Sequence, residues 1–404
     1  MSVTDAFPTR RLRLDLAVFL AALLLYVLTL SPGVLPADAG EFQLVAARLG
    51  VAHPPGYPLY TLFGWAFTLL IPTDPARAVN LFSAATMALA VTMTGRAARR
   101  LSGNTTAGLI AAAALAVTPS VWVTATQASI RPLTALFLAL CVDYALLAVR
   151  SKGRRGLPAL ALAAGLGLSH HPSLAFPGIA IFLYVMLGVP GLLRQPRRWL
   201  LLVGCLLAGF LPWLYLPVRG SMGAALAPDG LASWPGFWNH VLARGFGGDF
   251  FYFRTPVELL DRVRVWWNIL QLEWNLPLLV LGLAGLLALL WRERRAGLML
   301  AGGIALHSVV TLTYRAPQTV EYLIPAYVLM AISLGAGLTV LAEAFSTHVH
   351  RLMGPVLPLT AALGVGLLAV HTLPSLRTLA ADTSTRGQLE AVLDSAPGGA
   401  TVLA

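Results

Sequence analysis

The sequence predicts an all-α, polytopic membrane protein: a GT-C-like bundle of about eleven transmembrane helices with a short interfacial helix in its first outer loop. Three observations carry the membrane reading. Of 404 residues, 57% are hydrophobic and 11% charged, whereas soluble domains carry roughly 25% charged residues. So few charges cannot cover so apolar a core in water, and lipid must supply the outer solvent. Apolar runs recur along the whole chain, and short basic knots separate them: "RRLR" at 10–13, "RAARR" at 96–100, "RSKGRR" at 150–155, "RQPRR" at 194–198, "RERR" at 292–295, and Arg351. These knots hold 17 of the 28 Lys and Arg residues. The net charge of +11 therefore reads as orientation under the positive-inside rule, with membrane lipid and not nucleic acid as the partner.

Placing the knots on the cytoplasmic side threads the chain. A first helix at 14–30 leads outward from a cytoplasmic N-terminus to an outer loop at 31–76, which contains a short apolar piece at 59–71. Helices at 77–95, 105–126 and 132–149 follow, then an outward-facing hairpin of 157–170 and 172–189. A helix at 199–217 opens a large outer loop at 218–265, with Pro217 expected to break the helix. Helices at 268–291, 296–313, 322–343 and 353–373 complete the membrane domain, and 374–404 is an outer tail. The helices at 105–126 and 296–313 are rich in Gly, Ala and Thr, which suits close packing in lipid. Cys141 and Cys205 lie inside apolar runs and read as core residues. "Ala37-Asp38-Ala39" has the form of a signal-peptide cleavage site, but an apolar run of about 17 residues exceeds the usual signal core. Asn104 opens a glycosylation sequon beside a cytoplasmic knot, where it is silent. There is no internal repeat, heptad, phosphate-binding glycine loop or zinc spacing.

The polar residues sort by side. Inner loops hold mainly arginine, whereas the outer face holds both signs: Asp38, Glu41, His53, Asp74, Arg131, His170, His171, Arg219, Asp229, Asp249, Arg254, Asp261, Glu273, Arg315 and Glu321. Ionisable groups at membrane depth are costly and tend to mark function. Residues 38–49 read as a short amphipathic helix whose spacing puts Asp38 and Glu41 on one face. Two roles are open to that pair: a catalytic constellation, or a capping box with Asp38 at the N-cap and Glu41 three residues on. The following "HPPGYP" at 53–58 has fixed φ angles and few amide donors, so it forms a stiff turn carrying His53 and Tyr57.

"SPGVLPADAGEFQLVAARLGVAHPPGYPLYTLFG" resembles the signature first loop of the protein O-mannosyltransferase-like family, glycosyltransferase family 117, of GT-C architecture. Asp38, Gly40, Glu41, Phe42, Gly50, Val51, His53–Gly56, Tyr57, Pro58, Leu59 and Tyr60 fit its pattern. "RAVNLFSA" at 77–84, "GLGLSHHPSL" at 165–174, "LYLPVR" at 214–219 and "EYLIPAY" at 321–327 are similar to it further on. Where the family has A-E-V-Y, this chain has Ala128-Ser129-Ile130-Arg131, losing an acid and gaining a cation.

The resemblance implies a glycosyltransferase that moves a sugar, a hexose such as mannose, from a polyprenyl-phosphate carrier to a hydroxyl of a protein, lipid or glycan on the extracytoplasmic face. It implies Asp38 as the essential carboxylate, with Glu41 beside it, because a poor hydroxyl nucleophile needs a base within hydrogen-bond reach. The phosphate leaving group calls for cations, for which Arg131, Arg219 and Arg315 are candidates. His53, Tyr57, Tyr60, His170, His171, Glu321 and Tyr322 complete the candidate substrate site. No cofactor is indicated, and a divalent metal is compatible with the acidic pair without being called for. The alternative is a non-enzymatic flippase or transporter of an amphiphilic substrate, whose sign would be ionisable residues spread through mid-membrane. Among the acidic residues only Asp143 lies clearly inside a predicted span. Lys152 is the single lysine, an arginine bias that suggests a GC-rich prokaryote and its plasma membrane.

Overall fold

A computed structural model describes residues 7–316, 318–348 and 353–396. The described residues form helices and turns, without a β-strand. The expected knot at Arg351 and the tail beyond residue 396 lie outside them. In order, the helices are α1 (Phe7–Val27), α2 (Ala37–Arg48), α3 (Pro58–Leu70), α4 (Pro75–Ser102), α5 (Thr105–Val117), α6 (Pro119–Thr126) and α7 (Arg131–Arg150). Next come α8 (Leu157–His170), α9 (Ala175–Gly188), α10 (Pro196–Ala208), α11 (Tyr215–Ser221), α12 (Trp234–Val241) and α13 (Pro256–Glu273). The last six are α14 (Leu276–Arg292), α15 (Arg294–Thr313), α16 (Thr319–Tyr322), α17 (Ile324–His348), α18 (Met353–Ala381) and α19 (Ser384–Ser395).

This is a multi-pass membrane protein. Six helical runs are long and apolar enough to cross a bilayer: α4, α7, 196–221, α15, α17 and the run beginning at Gly354. Two bent pairs, α5–α6 at 68° and α13–α14 at 110°, raise the number to eight if each pair counts as one span. The other three expected spans correspond to α1, α8 and the Pro172–Gly188 segment, and the last two, like α3 in the expected outer loop, are apolar helices of 10–17 residues. α1 carries three arginines and Asp15 in its N-terminal half.

Several expected boundaries shift for local reasons. The helix expected at 105–126 breaks at Thr118, because Pro119 has no amide to continue the ladder. The helix expected at 268–291 breaks at Trp274, where Asn275 caps α14 by accepting from the Leu278 amide. Its first half belongs to α13, which starts at a Thr255–Glu258 capping box inside the expected outer loop. Pro217 does not end its helix. It sits in the first turn of α11, where a missing amide costs nothing. The last span continues as α18 through Pro374 to Ala381.

The two breaks lock onto each other. Trp274 is fully buried and its indole N–H donates to Thr118 Oγ1 at 3.1 Å. The neighbouring Glu273 carboxylate accepts from both the Ser120 amide (3.0 Å) and the Ser120 hydroxyl (2.9 Å). The freed polar groups of one bend thereby satisfy those of the other, as apolar surroundings require. Elsewhere small residues let backbones touch: a Cβ on Gly95 of α4 would lie 2.7 Å from the Gly108 carbonyl of α5.

At the knot end, arginines do more than set orientation. Asp143 of α7, 1% exposed, is bound by Arg100 through Nε (2.7 Å) and Nη2 (3.1 Å), and by Arg96 Nε at 3.2 Å. Arg99 of the same knot pairs with Asp15 of α1 at 2.7 Å, and Arg150 donates to the Leu101 carbonyl. The knot at 96–100 thus fastens α1, α4 and α7. Asp143→Asn leaves two arginines beside an uncharged partner in a buried setting, and we expect it to cost about 3–5 kcal/mol. Thermal unfolding in detergent measures this; a melting temperature equal to the parent's would show that the triad is not structural.

Candidate active site

The segment between α1 and α4 is assembled on a buried amide pair. Gln43 of α2 donates to Asn80 Oδ1 of α4 at 2.9 Å and to the Gly33 carbonyl at 3.0 Å, and accepts from the Leu35 amide at 3.0 Å. Asn80 in turn donates to the Ser31 carbonyl at 3.1 Å. The Ser31 amide donates to the Thr126 carbonyl at the end of α6. Neither amide side chain is more than 4% exposed, so each satisfied contact matters. Segment 31–36 is fixed by these bonds and delivers the first turn of α2 to the cavity that Asp38 lines. Ala37 (φ +54), Leu49 (φ +50) and Tyr57 (φ +44) all take the left-handed conformation that non-glycine residues avoid, a concentration of strain typical of functional loops.

Asp38 lies in the first turn of α2, where the N-cap is Pro36 and makes no side-chain cap. The capping-box alternative is therefore not what the two acids do. Asp38 is exposed, with one long contact from Gln318 Nε2 at 3.4 Å. Glu41, one turn on, is engaged by His53, whose backbone amide donates to Oε1 at 2.6 Å and whose Nδ1–H donates to Oε2 at 2.7 Å. Burial alone would raise the Glu41 carboxyl, but the His53 hydrogen bonds and charge outweigh it and bring it below its ordinary range. Burial alone would lower the His53 imidazole, but Glu41 and the nearby Asp38 charge outweigh that and raise it. One ligand atom each from Asp38, Glu41 and His53 lie within 4.8 Å of one another, a donor set of the kind a divalent ion accepts.

Across from Asp38 stands Arg131, at the start of α7. Its side chain is 7% exposed, its guanidinium carbon lies 3.9 Å from the Tyr322 ring centre, and its Nε is 3.8 Å from Glu321 Oε2. Burial pushes the Glu321 carboxyl up, Arg131 offsets only part of that, and the Asp38 charge adds to the rise. His171 Nδ1 lies 2.7 Å from the Ser173 hydroxyl, and its Nε2 lies 3.4 Å from Arg131 Nη1, which donates to it. Arg131 is thus held on three sides, by His171, Glu321 and the Tyr322 ring.

These residues line two adjoining cavities. The smaller, about 160 Å³, is polar: Asp38, His53, Tyr57, Gln127, Ser129, Arg131, Gln318, Glu321 and Tyr322 face it. The larger, about 740 Å³, mixes Asp38, Glu41, His53, Tyr57, His171, Arg315 and Tyr322 with apolar groups such as Phe176, Phe246 and Phe250. Asp38, His53, Tyr57, Gln318 and Tyr322 belong to both. Arg315 is held at the rim by Asp249 at 2.8 Å and lies over Tyr252.

Three sequence candidates lie elsewhere. Tyr60 packs behind the site between Phe42 and Phe82, its hydroxyl 3.4 Å from Ser83 Oγ. His170 is fully buried and donates from Nε2 to the Ile130 carbonyl at 2.9 Å, bracing the residue before Arg131. Arg219 does not reach the cavities: its Nε donates to the Leu49 carbonyl at 2.7 Å and its Nη2 to the Arg48 carbonyl at 3.4 Å, closing the C-terminal end of α2. Tyr215 does likewise at the Gly50 carbonyl. The "LYLPVR" motif is therefore a clamp on α2. Gln127, Ser129 and Gln318 were not foreseen as site residues; Gln318 lies three residues before Glu321, close enough to "EYLIPAY" to have been signalled by it.

Two predictions follow from this geometry. The raised His53 contributes stability that is full below its ordinary value and is lost as pH rises through the folded one. The lowered Glu41 contributes stability that is full above 4.5 and is lost as pH falls through its folded value. The pair should therefore stabilise most between about pH 4.5 and 6.5, and His53→Gln should flatten the melting temperature between pH 6 and 8; an unchanged profile would contradict the pairing. Arg219→Ala should lower the melting temperature by weakening α2, by about 1 kcal/mol, while Arg219→Lys recovers part of the loss.

Comparison with known proteins places this geometry among relatives. Residues 38–189 match the Protein O-mannosyl-transferase TMEM260 N-terminal domain family. The mouse (Mus musculus) protein O-mannosyl-transferase TMEM260 is 31% identical over 250 residues, 58% of this chain and 35% of its own length. The Dictyostelium discoideum protein of that name is 30% identical over 126 residues, 30% of this chain and 15% of its own length. The chain thus spans about a third or less of these relatives. Among solved structures, ArnT from Cupriavidus metallidurans bound to undecaprenyl phosphate superimposes with TM-score 0.58 at 18% identity, over 90% of this chain and 74% of that one. Its apo form gives 0.57, over 94% and 75%. The chain is therefore similar to protein O-mannosyl-transferases of the TMEM260 kind through residues 38–189, and its helices adopt the GT-C-like fold of ArnT expected from the first-loop motif.

Proposed function

We propose that this protein is a membrane glycosyltransferase that moves a hexose such as mannose from a polyprenyl-phosphate carrier to an acceptor hydroxyl, with Asp38 as the base. The observation that carries this reading is the position of Asp38: its carboxylate, free of any short side-chain partner, faces both cavities. The mixed apolar and cationic wall of the larger cavity suits an amphiphilic phosphate donor, and the polar smaller one suits the acceptor. As the acceptor oxygen attacks the anomeric carbon, its proton passes to Asp38 and the bond between that carbon and the phosphate oxygen breaks. The departing phosphate gains charge, which the Arg131 guanidinium, held by His171, Glu321 and Tyr322, can stabilise without reorganising. Glu41 and His53, already bound to each other, hold the turn and orient Asp38.

The fold shared with an undecaprenyl-phosphate-bound protein supports the donor class, and the mouse and Dictyostelium relatives support mannose and a protein acceptor. The Arg knots lie at the end remote from Asp38, which supports an extracytoplasmic site. The arginine bias supports a prokaryotic plasma membrane, although both sequence relatives come from eukaryotes. Against a transporter stands Asp143, whose carboxylate is fully engaged by Arg96 and Arg100. Asp38→Asn should reduce transfer of labelled mannose from polyprenyl-phosphate mannose by at least about 100-fold. The melting temperature should stay at the parent value, because Asp38 caps nothing. Turnover that survives the substitution would remove Asp38 as the base.

A further inference from the structure

An apolar groove of about 470 Å³ lies between α8, α9 and α10, floored by Leu138 and Cys141 of α7, and no charged residue lines it. It is separate from the cavities around Asp38. Along α8 it runs from Leu157 to Leu168, about 16 Å at 1.5 Å per residue, which is close to half of a ~30 Å hydrocarbon core. α10 needs such a cover for its exposed surface: it has no buried residue, and the 196–221 run is only 11% buried within the protein. Its tight contact with α8 is at the far end, where Gly165 and Gly209 bring the backbones together.

The end of the groove remote from Asp38, at Leu157, Leu192 and Trp199, meets two basic segments. Lys152, Arg154 and Arg155 come from the turn before α8, and Arg194, Arg197 and Arg198 from the segment entering α10; all six are exposed. The segments touch: Arg198 Nη1 lies 3.3 Å from where a Cβ on Gly153 would be. None of the six forms an ion pair among the described residues. This contrasts with the knot at 96–100, whose arginines are matched by Asp15 and Asp143. Orientation alone explains basic residues on this side; it does not explain two unmatched clusters meeting at the mouth of an apolar slot.

We propose that the groove and its rim bind one acidic phospholipid from the leaflet opposite the active site. One acyl chain fills the groove, and the phosphate sits between the 152–155 and 194–198 segments. The depth of a single leaflet favours an acyl chain over the long tail of a polyprenyl carrier. The site stands independently of the transferase reading.

The test uses the full chain in detergent with phosphatidylglycerol or phosphatidylcholine, reading lipids retained in native mass spectrometry and the melting temperature. Phosphatidylglycerol should be retained one to one and raise the melting temperature by several degrees, while phosphatidylcholine does neither. Gly178→Phe fills the slot from α9, where a Cβ meets nothing within 4 Å, and should weaken phosphatidylglycerol binding at least ten-fold. The triple substitution Lys152→Gln, Arg194→Gln, Arg198→Gln tests the exposed rim without touching packed residues and should do the same. Equal responses to the two lipids, or undiminished phosphatidylglycerol binding in both variants, would overturn the proposal. Displacement of phosphatidylglycerol by equimolar polyprenyl phosphate would overturn the choice of occupant.

Discussion

A hydrogen-bonded pair of buried amides, Gln43 against Asn80, is the constraint on which the candidate site depends. In an apolar setting an amide must find partners, and these two find them in each other and in the backbone of segment 31–36. That ties the segment to α4 and, through Ser31 and Thr126, to the end of α6. The bend of α6 is fixed by Trp274 and Glu273 from the second broken pair. Polar groups released by two helix breaks and one loop thus satisfy one another, and the result is a rigid frame around Asp38.

Charge is handled differently at the two ends of the bundle. At the knot end, Asp143 and Asp15 neutralise part of the arginine, and the pairs join helices. Around Asp38, Glu41 and His53 are tightly paired, but Asp38 and Arg131 are only loosely matched. Arg131 has a long contact to Glu321, an aromatic face beneath it and a long hydrogen bond from its Nη1 to His171 Nε2. Loose matching costs stability, and its use is that a substrate's own charge completes the set.

Much of this was legible in the sequence where the determinants are local. Residues 36–60 pack amphipathic spacing, prolines and paired acids into one segment, and α2, the stiff turn and α3 appear where that pattern puts them. The break at Trp274 was hidden because its apolar flanks on both sides read as one span, and the polar Glu273 and Asn275, with Pro277 in the first turn of α14, mark where the two helices part. Tyr57 and Tyr60 differ by less than a helical turn, yet one faces the cavities and the other the core; α3 had to be oriented by its packing on Phe82 to tell them apart. Arg219 was misplaced for a related reason. Its residue type fits a phosphate as well as it fits helix carbonyls, and sequence gives no distance to either.

The stacking of Arg131 on Tyr322 bears on how the chain can be divided. The segment similar to the TMEM260 N-terminal domain stops at residue 189 and supplies Asp38, His53, Arg131 and His171. The floor beneath Arg131, and the acid beside it, come from Glu321 and Tyr322, far along the sequence. That segment alone is therefore not a unit of chemistry. Exchanging it between relatives would carry a cation to a wall built for a different side chain unless residues 318–322 were exchanged with it.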